Sequence, residues 1–299
     1  MPVFCVVSLC RQNSRTVRPE RGILRDRRME PEAYALSGLK SFPDAREICY
    51  TDCMRYFDIQ LASLGTIDSS NEEIKRRCAA LKTGNAVMCQ RQTNGRGRLG
   101  RTFESDRGMS LCLSVYFDMP EPRLTATTSV CVCRAIEKLY GLRPQIKWPN
   151  DILVEGRKLC GILAETAGSG MVVGIGINMA QKDEDFSKFV RGKAVSLKQI
   201  FPKIGCTIAE KRLLAETILQ EMKREYESVP ISEILDEYRL NCVTIGQVVR
   251  VRFTEKQSPK VGIAEGLNDD FSLNIRWSDG SIEKCIAGEV QIHGLNGYI

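Results

Sequence analysis

The chain has 299 residues, 43% hydrophobic and 27% charged. This is ordinary globular usage, which excludes a disordered, collagen-like or fibrous chain and supplies enough apolar surface to fold without staples. The formal charge is +6, but a net +4 belongs to residues 1–30, where seven arginines face three acids, so the other 269 residues are close to balanced. That balance lacks the basic stripe of a nucleic-acid-binding body, and no apolar run approaches the roughly 20 residues of a membrane helix.

Thirteen cysteines and one histidine, His293, narrow the chemistry. The cysteines form no C-x-x-C pair, and no second histidine exists to complete a common zinc set. A disulfide framework is not expected in a chain of this size without a secretory signal. The cysteines read as reduced, small core residues in a cytoplasm-like compartment. A single histidine leaves Lys, Arg, carboxylates and hydroxyls to run any reaction.

Residues 1–50 have weak periodicity and are broken at Pro19, Gly22, Pro31, Gly38 and Pro43. They read as an N-terminal extension, disordered or preceding a second start at Met29. Their Arg-rich opening also resembles a mitochondrial presequence, although Arg18-Pro19-Glu20 interrupts an amphipathic helix. No helix-turn-helix pattern is visible there.

An α+β body is expected over 51–240. Asp68-Ser69-Ser70-Asn71 precedes a predicted helix to about Leu81, with Ser70 and Glu73 spaced as a capping box. Strands are predicted over 86–89 and 110–117, and a helix over 124–140 that stops at Gly141. An antiparallel meander follows, at 145–154, 158–166 and 171–178. Thr207 and Glu210 cap a long helix to about Val229, and a shorter helix covers 232–240. Residues 241–299 change character: strands at 248–253 and 272–277 with Asp-Asp and Asp-Gly turns predict a small β-barrel.

Between the first two strands lies Gly95-Arg96-Gly97-Arg98-Leu99-Gly100-Arg101-Thr102-Phe103. It satisfies G-x-G-x-x-G and nearly satisfies the P-loop pattern, but both need a helix to open directly after the glycines. Here another glycine, Gly108, leads into a strand instead. Three arginines within six residues repel one another by about 1 kcal/mol per close pair even in water. Such flexible cationic forks suit closure over a phosphate or carboxylate; a solvated basic surface loop is the alternative.

Three further blocks complete the pattern: Lys147-Trp148-Pro149-Asn150-Asp151, then Lys158 through Gly161-Ile162-Leu163 to Glu165, then Gly174-Ile175-Gly176-Ile177-Asn178. In this order the blocks resemble the biotin protein ligase family, over most of residues 60–299. The resemblance implies a class II synthetase-like α+β catalytic domain with a mixed sheet, plus a C-terminal SH3-like β-barrel. Because no helix-turn-helix pattern precedes these blocks, a monofunctional ligase without a DNA-binding domain is expected. Such enzymes join biotin to ATP as biotinyl-5′-adenylate and pass the biotinyl group to one lysine of a carboxylase carrier domain. Lipoate ligases share the fold and the adenylation step but lack these blocks as a set.

Residue roles follow from the resemblance. Ser69, Ser70, Asn71 and Gln92 are expected at the biotin ureido end. Arg96, Gly97 and Arg98 would form the loop over biotin and its adenylate, with Arg96, Arg98 and Lys147 catalytic. Lys147 is expected at the carboxyl–phosphate junction. Arg98, Arg101, Phe103, Lys147 and Asn178 would face the nucleotide, with Mg²⁺ carried by ATP rather than by a protein site. Phe103 stands where many members carry Trp, and Ser70 where Thr is usual. Trp148 reads as a packing residue. Location is expected to be cytoplasmic, with mitochondrial as the alternative.

Overall fold

The computed structural model describes residues 56–294 except 104, 106, 254–257 and 288–290. The extension over 1–50, with its targeting and second-start readings, lies outside the described residues.

Seven strands form a mixed sheet: β1 (Gln60–Ile67), β2 (Asn85–Gln92), β3 (Ser110–Phe117), β4 (Gln145–Lys147), β5 (Asp151–Val154), β6 (Arg157–Ala167) and β7 (Gly170–Asn178). Their spatial order is β1-β2-β3-β7-β6-β5-β4. β1 and β2 run parallel; the other neighbours are antiparallel. Helices α1 (Ser70–Arg77), α2 (Leu124–Tyr140), α3 (Leu197–Ile200), α4 (Ile208–Ser228) and α5 (Ile231–Asn241) complete the α+β body.

Strand alternation divides the sheet's residues between two faces. Met88, Leu111, Leu113, Val173, Ile175 and Ile177 are buried in the main core, shared with Val130, Leu214, Ile218 and Ile234 of α2, α4 and α5. Val87, Tyr116 and Val172 project the other way and bury Ile74 of α1 in a smaller cluster. The cavity described below lies on this second face.

The predicted helices at 124–140 and 207–229 match α2 and α4. Gly141 ends α2 at φ 65°, a left-handed value that costs glycine nothing. At α4 the Glu210 amide donates to Thr207 Oγ1 (3.2 Å) and the Thr207 amide to Glu210 Oε2 (2.9 Å). The other expected capping box does not form. Ser69, not Ser70, precedes α1, and no side chain caps it. Ser70 spends its hydroxyl on tertiary partners, and Glu73 pairs with Arg76 and Arg77. α1 also ends at Arg77, with a 3₁₀ turn over 78–80 in place of further α-helix.

The strand expected over 145–154 is two strands, β4 and β5, separated by a turn at Trp148-Pro149-Asn150. Pro149 has no N–H to give a ladder, so a strand cannot run through it in the sheet interior. β1 escapes the sequence reading because it is a mostly exposed edge strand that contains Gly65.

The C-terminal part is a five-stranded antiparallel sheet: β8 (Val248–Arg252), β9 (Lys260–Leu267), β10 (Leu273–Arg276), β11 (Ile282–Cys285) and β12 (Gln291–Gly294), ordered β11-β10-β9-β8-β12. Its buried Val249, Val251, Ala264, Leu273 and Ile275 continue the main core. Trp148, 2% exposed, joins the two sheets. Its indole N–H donates to Phe271 O (2.9 Å) and its amide to Thr244 Oγ1 (3.0 Å). The packing role read for Trp148 is the one the structure shows.

Candidate active site

Strand register assembles the site. One row of paired residues crosses six strands: Cys89 (β2) opposite Cys112 (β3), Cys112 opposite Gly176 (β7), Gly176 opposite Gly161 (β6), Gly161 opposite Asp151 (β5), and Asp151 opposite Lys147 (β4). Directly paired residues share a face of the sheet. The row therefore presents two thiols at one end, two bare glycines in the middle, and a carboxylate and an ammonium at the other.

The bare positions are occupied by neighbours. A Cβ on Gly176 would come within 2.6 Å of the Phe103 ring, and a Cβ on Gly174, two residues earlier on the same face, would collide with Asn71 Oδ1. The two glycines of Gly174-Ile175-Gly176 are thus sites where an aromatic ring and an amide lie flat on the sheet.

Next to the glycines a polar floor is fully buried. The Ser70 amide and hydroxyl both donate to Gln92 Oε1, at 2.7 and 3.0 Å, and the Gln92 amide donates to Ser105 Oγ at 3.1 Å. The Ser114 hydroxyl lies 2.7 Å from Ser70 Oγ and donates to Asn71 Oδ1 at 2.6 Å. The Asn71 amide donates to Glu165 Oε2 at 2.8 Å. Ser69, Ser70, Asn71, Gln92, Arg96 and Phe103 line one cavity with Asn150, Gly161, Gly174, Gly176 and Cys112. As closed by the loop its volume is about 50 Å³, whereas pockets that hold drug-sized ligands run to about 300–1,000 Å³.

Phe103 and Gln92 also line a second cavity of about 540 Å³, with Thr102, Ser110, Gln181, Arg107 and Lys188 on its wall. One ring therefore separates two spaces.

The loop is a tight hairpin. The Gly97 amide donates to Arg101 O (2.7 Å) and the Phe103 amide to Gly95 O (3.0 Å). Its side chains clip it down at two points. Arg96 Nη1 lies 3.1 Å from Glu72 Oε1 on α1. Arg98 donates to Asn150 Oδ1 at 3.0 Å and to the carbonyl of Ala287, which follows β11 of the C-terminal sheet. Burial lowers the Arg98 pKa, a cost that the nearby Asp151 opposes.

Lys147 is 6% exposed. Burial first, then Lys158 and Arg101, holds its pKa down to about 8 against the pull of Asp151. Asp151 in turn pairs with Lys158 Nζ at 2.6 Å. Lys158 Nζ sits 3.0 Å from where a Cβ on Gly161 would stand, so two ammonium groups flank one carboxylate at the end of the glycine row.

Of the expected residues, Gly97, Arg98, Arg101 and Lys147 line neither cavity wall, and Arg101 is exposed at the loop's far strand. Asn178 is 8% exposed, but its amide is spent on the Lys158 and Val195 carbonyls at 3.2 and 3.1 Å. It fastens β7 to neighbouring backbone, and Gln181 takes the cavity position beside it. Sequence reading assigned no role to Ser114, Ser105, Glu165, Asn150, Asp151 or Lys158. Ser114 had a signal: it interrupts an otherwise apolar strand interior, and a buried hydroxyl there needs partners.

The model of the biotin/lipoate A/B protein ligase family matches residues 64–181. A Mycobacterium tuberculosis biotin–[acetyl-CoA-carboxylase] ligase is 31% identical over 229 residues, 72% of this chain and 82% of that protein. The Bacillus subtilis bifunctional ligase/repressor BirA is 31% identical over 224 residues, and the match spans 70% of this chain and 66% of that longer protein. Among solved structures, the Aquifex aeolicus biotin protein ligase in complex with biotin and ATP aligns with a TM-score of 0.67 at 25% identity, covering 78% of this chain and 98% of that one. With the loop, the lysine hairpin and the glycine row in one site, this chain belongs to the biotin protein ligase family.

Proposed function

We propose that the protein activates biotin with ATP and transfers the biotinyl group to a lysine of a biotin carboxyl-carrier domain. The observation that carries this reading is the glycine row, bounded by a buried polar floor on one side and by Lys147 and Lys158 at one end. The floor offers both hydrogen-bond donors and acceptors, as a ureido ring requires. With no side chain at Gly174 or Gly176, Asn71 and the Phe103 ring lie flat on the sheet and form the surface an acyl chain would cross, and the ammonium groups stand where a carboxylate would meet a phosphate.

In the first step a biotin carboxylate oxygen attacks the α-phosphorus of ATP and pyrophosphate leaves. A carboxylate is ionised at pH 7, so no general base is needed. The barrier lies in bringing two anions together. Lys147 and the loop arginines lower it by positioning and by charge. In the second step an acceptor amine attacks the carbonyl of the mixed anhydride, AMP leaves, and an amide forms.

The second cavity, walled partly by Phe103, Arg107 and Lys188, suits the nucleotide. The base would stack on the Phe103 ring. Among the described residues no cluster of three or more His, Cys, Asp or Glu could hold a metal. Mg²⁺ would enter with the nucleotide substrate, as is usual for that ion. The 50 Å³ cavity under the closed loop requires the loop to lift for substrate to enter, and its closure then shields the anhydride from water.

No helix of the described residues is long and apolar enough to cross a membrane. The test is transfer of radiolabelled biotin to a carrier domain with ATP, without ATP, and with lipoate in competition. Label that appears without ATP, or that lipoate displaces at equal concentration, overturns the reading.

A further inference from the structure

The thiol end of the glycine row has no part in the chemistry above. Cys89 and Cys112 are direct cross-strand partners, 0% and 2% exposed. Cys112 stands on the cavity wall, opposite the Gly176 position on which Phe103 rests. Behind the pair lies Lys211, 2% exposed, with its ammonium donating to the Gly108 and Gln90 carbonyls at 2.8 and 3.2 Å. No carboxylate among the described residues pairs with Lys211. The two thiols are paired by strand register, Cys112 faces the cavity, and the Lys211 charge is near enough to lower its thiol.

We propose that Cys112 is a ligand-guarded modification site for small peroxides, with Cys89 as its resolving thiol. The geometry permits the second step, since antiparallel partners hold their Cα atoms about 4.5–5.5 Å apart and disulfides span about 4.4–6.8 Å. Access assigns the roles: Cys112 lines the cavity and Cys89, 0% exposed, does not. Hydrogen bonds from Cys89 and Ser105, aided by Lys211, lower the Cys112 thiol, while its bond to Cys112 and its burial raise Cys89.

The chemistry balances. The Cys112 thiolate attacks one peroxide oxygen, the O–O bond breaks, and protonation of the departing oxygen releases water and leaves a sulfenic acid. The Cys89 sulfur then attacks the Cys112 sulfur, the S–O bond breaks, and a second water leaves. The net change is two thiols oxidised to one disulfide and one hydrogen peroxide reduced to two waters. The closed cavity, about 50 Å³, admits a molecule of that size, since a water occupies about 30 Å³. A sulfenate or disulfide at this point displaces the Phe103 ring that rests on Gly176, against which substrate must lie. This last consequence, and protection by substrate, rest on the proposed function; the oxidation itself does not.

The experiment treats the full chain with hydrogen peroxide, maps peptides without reduction, and follows pyrophosphate release in parallel. The expected result is a Cys89–Cys112 cross-link formed in step with loss of activity, and both reversed by dithiothreitol. Biotin plus ATP at about ten times their Kd should slow the cross-link about tenfold by mass action. Cys206, which lies near Lys211 but outside the cavity wall, is the internal reference and should be labelled at an unchanged rate. In Cys89→Ser the cross-link should vanish and dimedone should capture a sulfenic acid at Cys112. Cys112→Ser should keep its own untreated activity through the same exposure. A fully inactivated wild-type protein with Cys112 unmodified overturns the proposal, as does Cys112→Ser inactivated at the wild-type rate. The peptide map reads the thiols whether or not the protein ligates biotin, so failure of the oxidation and failure of the ligase reading are told apart.

Discussion

On the floor of the cavity, Ser70, Asn71, Gln92 and Ser114 are each less than a tenth exposed and each answers to another side chain. In the loop that closes over them, hairpin backbone is held down by two arginines whose partners lie on other elements. The floor is registered by strand pairing, which fixes position to within a pleat. The loop is held by long side chains that can let go. A ligand site of this kind has one half pre-formed and one half that must move, and the two halves should fail differently when altered. Damage to the floor should appear in binding and chemistry, and damage to the clips in retention of what has been made.

The largest effect should come from the end of the glycine row. Lys147→Ala removes the buried cation that the proposed reaction sets against developing charge, and such donors are worth about 10²–10³ in rate. Pyrophosphate release should fall by that factor, with circular dichroism unchanged. Release at the wild-type rate would remove Lys147 from the mechanism. Gly174→Ala forces a methyl against Asn71. Overpacking of this type costs about 1–3 kcal/mol, so biotin KM should rise by about five- to a hundredfold while ATP KM stays put.

The loop gives the next effect. Arg98→Gly loses a charge-assisted clip worth about 1.5–3 kcal/mol. The variant should still make adenylate but release it about ten- to a hundredfold faster in gel filtration of preloaded enzyme, with label appearing on bystander proteins. A smaller effect comes from pH. Lys147 titrates near 8; it is cationic below that value and neutral above it. Pyrophosphate release should therefore fall about tenfold between pH 7 and pH 9, as the protonated fraction does. The transfer step has the opposite sign, because the acceptor amine must lose its proton, so the two half-reactions need separate measurement. Glu72→Gln should matter least. Its partner Arg96 is 47% exposed, and exposed pairs are worth about 0–1 kcal/mol. Tryptic cleavage in the unliganded loop should rise less than about fivefold.

Much of this molecule is written in local sequence. Helices α2 and α4 are legible because their start and stop signals act within one turn, as Gly141 and the Thr207–Glu210 box do. The loop and the lysine block are legible because their residue types are costly unless a ligand or partner repays them. The capping box read at Ser70 and Glu73 fails for an instructive reason. Its spacing is correct, but Ser70 is buried against Gln92 and Ser114, and a tertiary partner outbids a local one.

What the chain by itself determines is therefore which residues carry charge, which are small and where helices begin. Those properties belong to single residues or to neighbours within a turn. Which of them meet is decided only by the sheet. Lys147, Asp151, Gly161, Gly176, Cys112 and Cys89 come from five separate stretches of sequence, and strand register alone aligns them. A shift of one residue in any of those strands would send its side chain to the opposite face. Asn178 and Ser114 show the same division. As single residues both are polar ends or interruptions of apolar strands, and only packing makes one a backbone fastener and the other the centre of the polar floor.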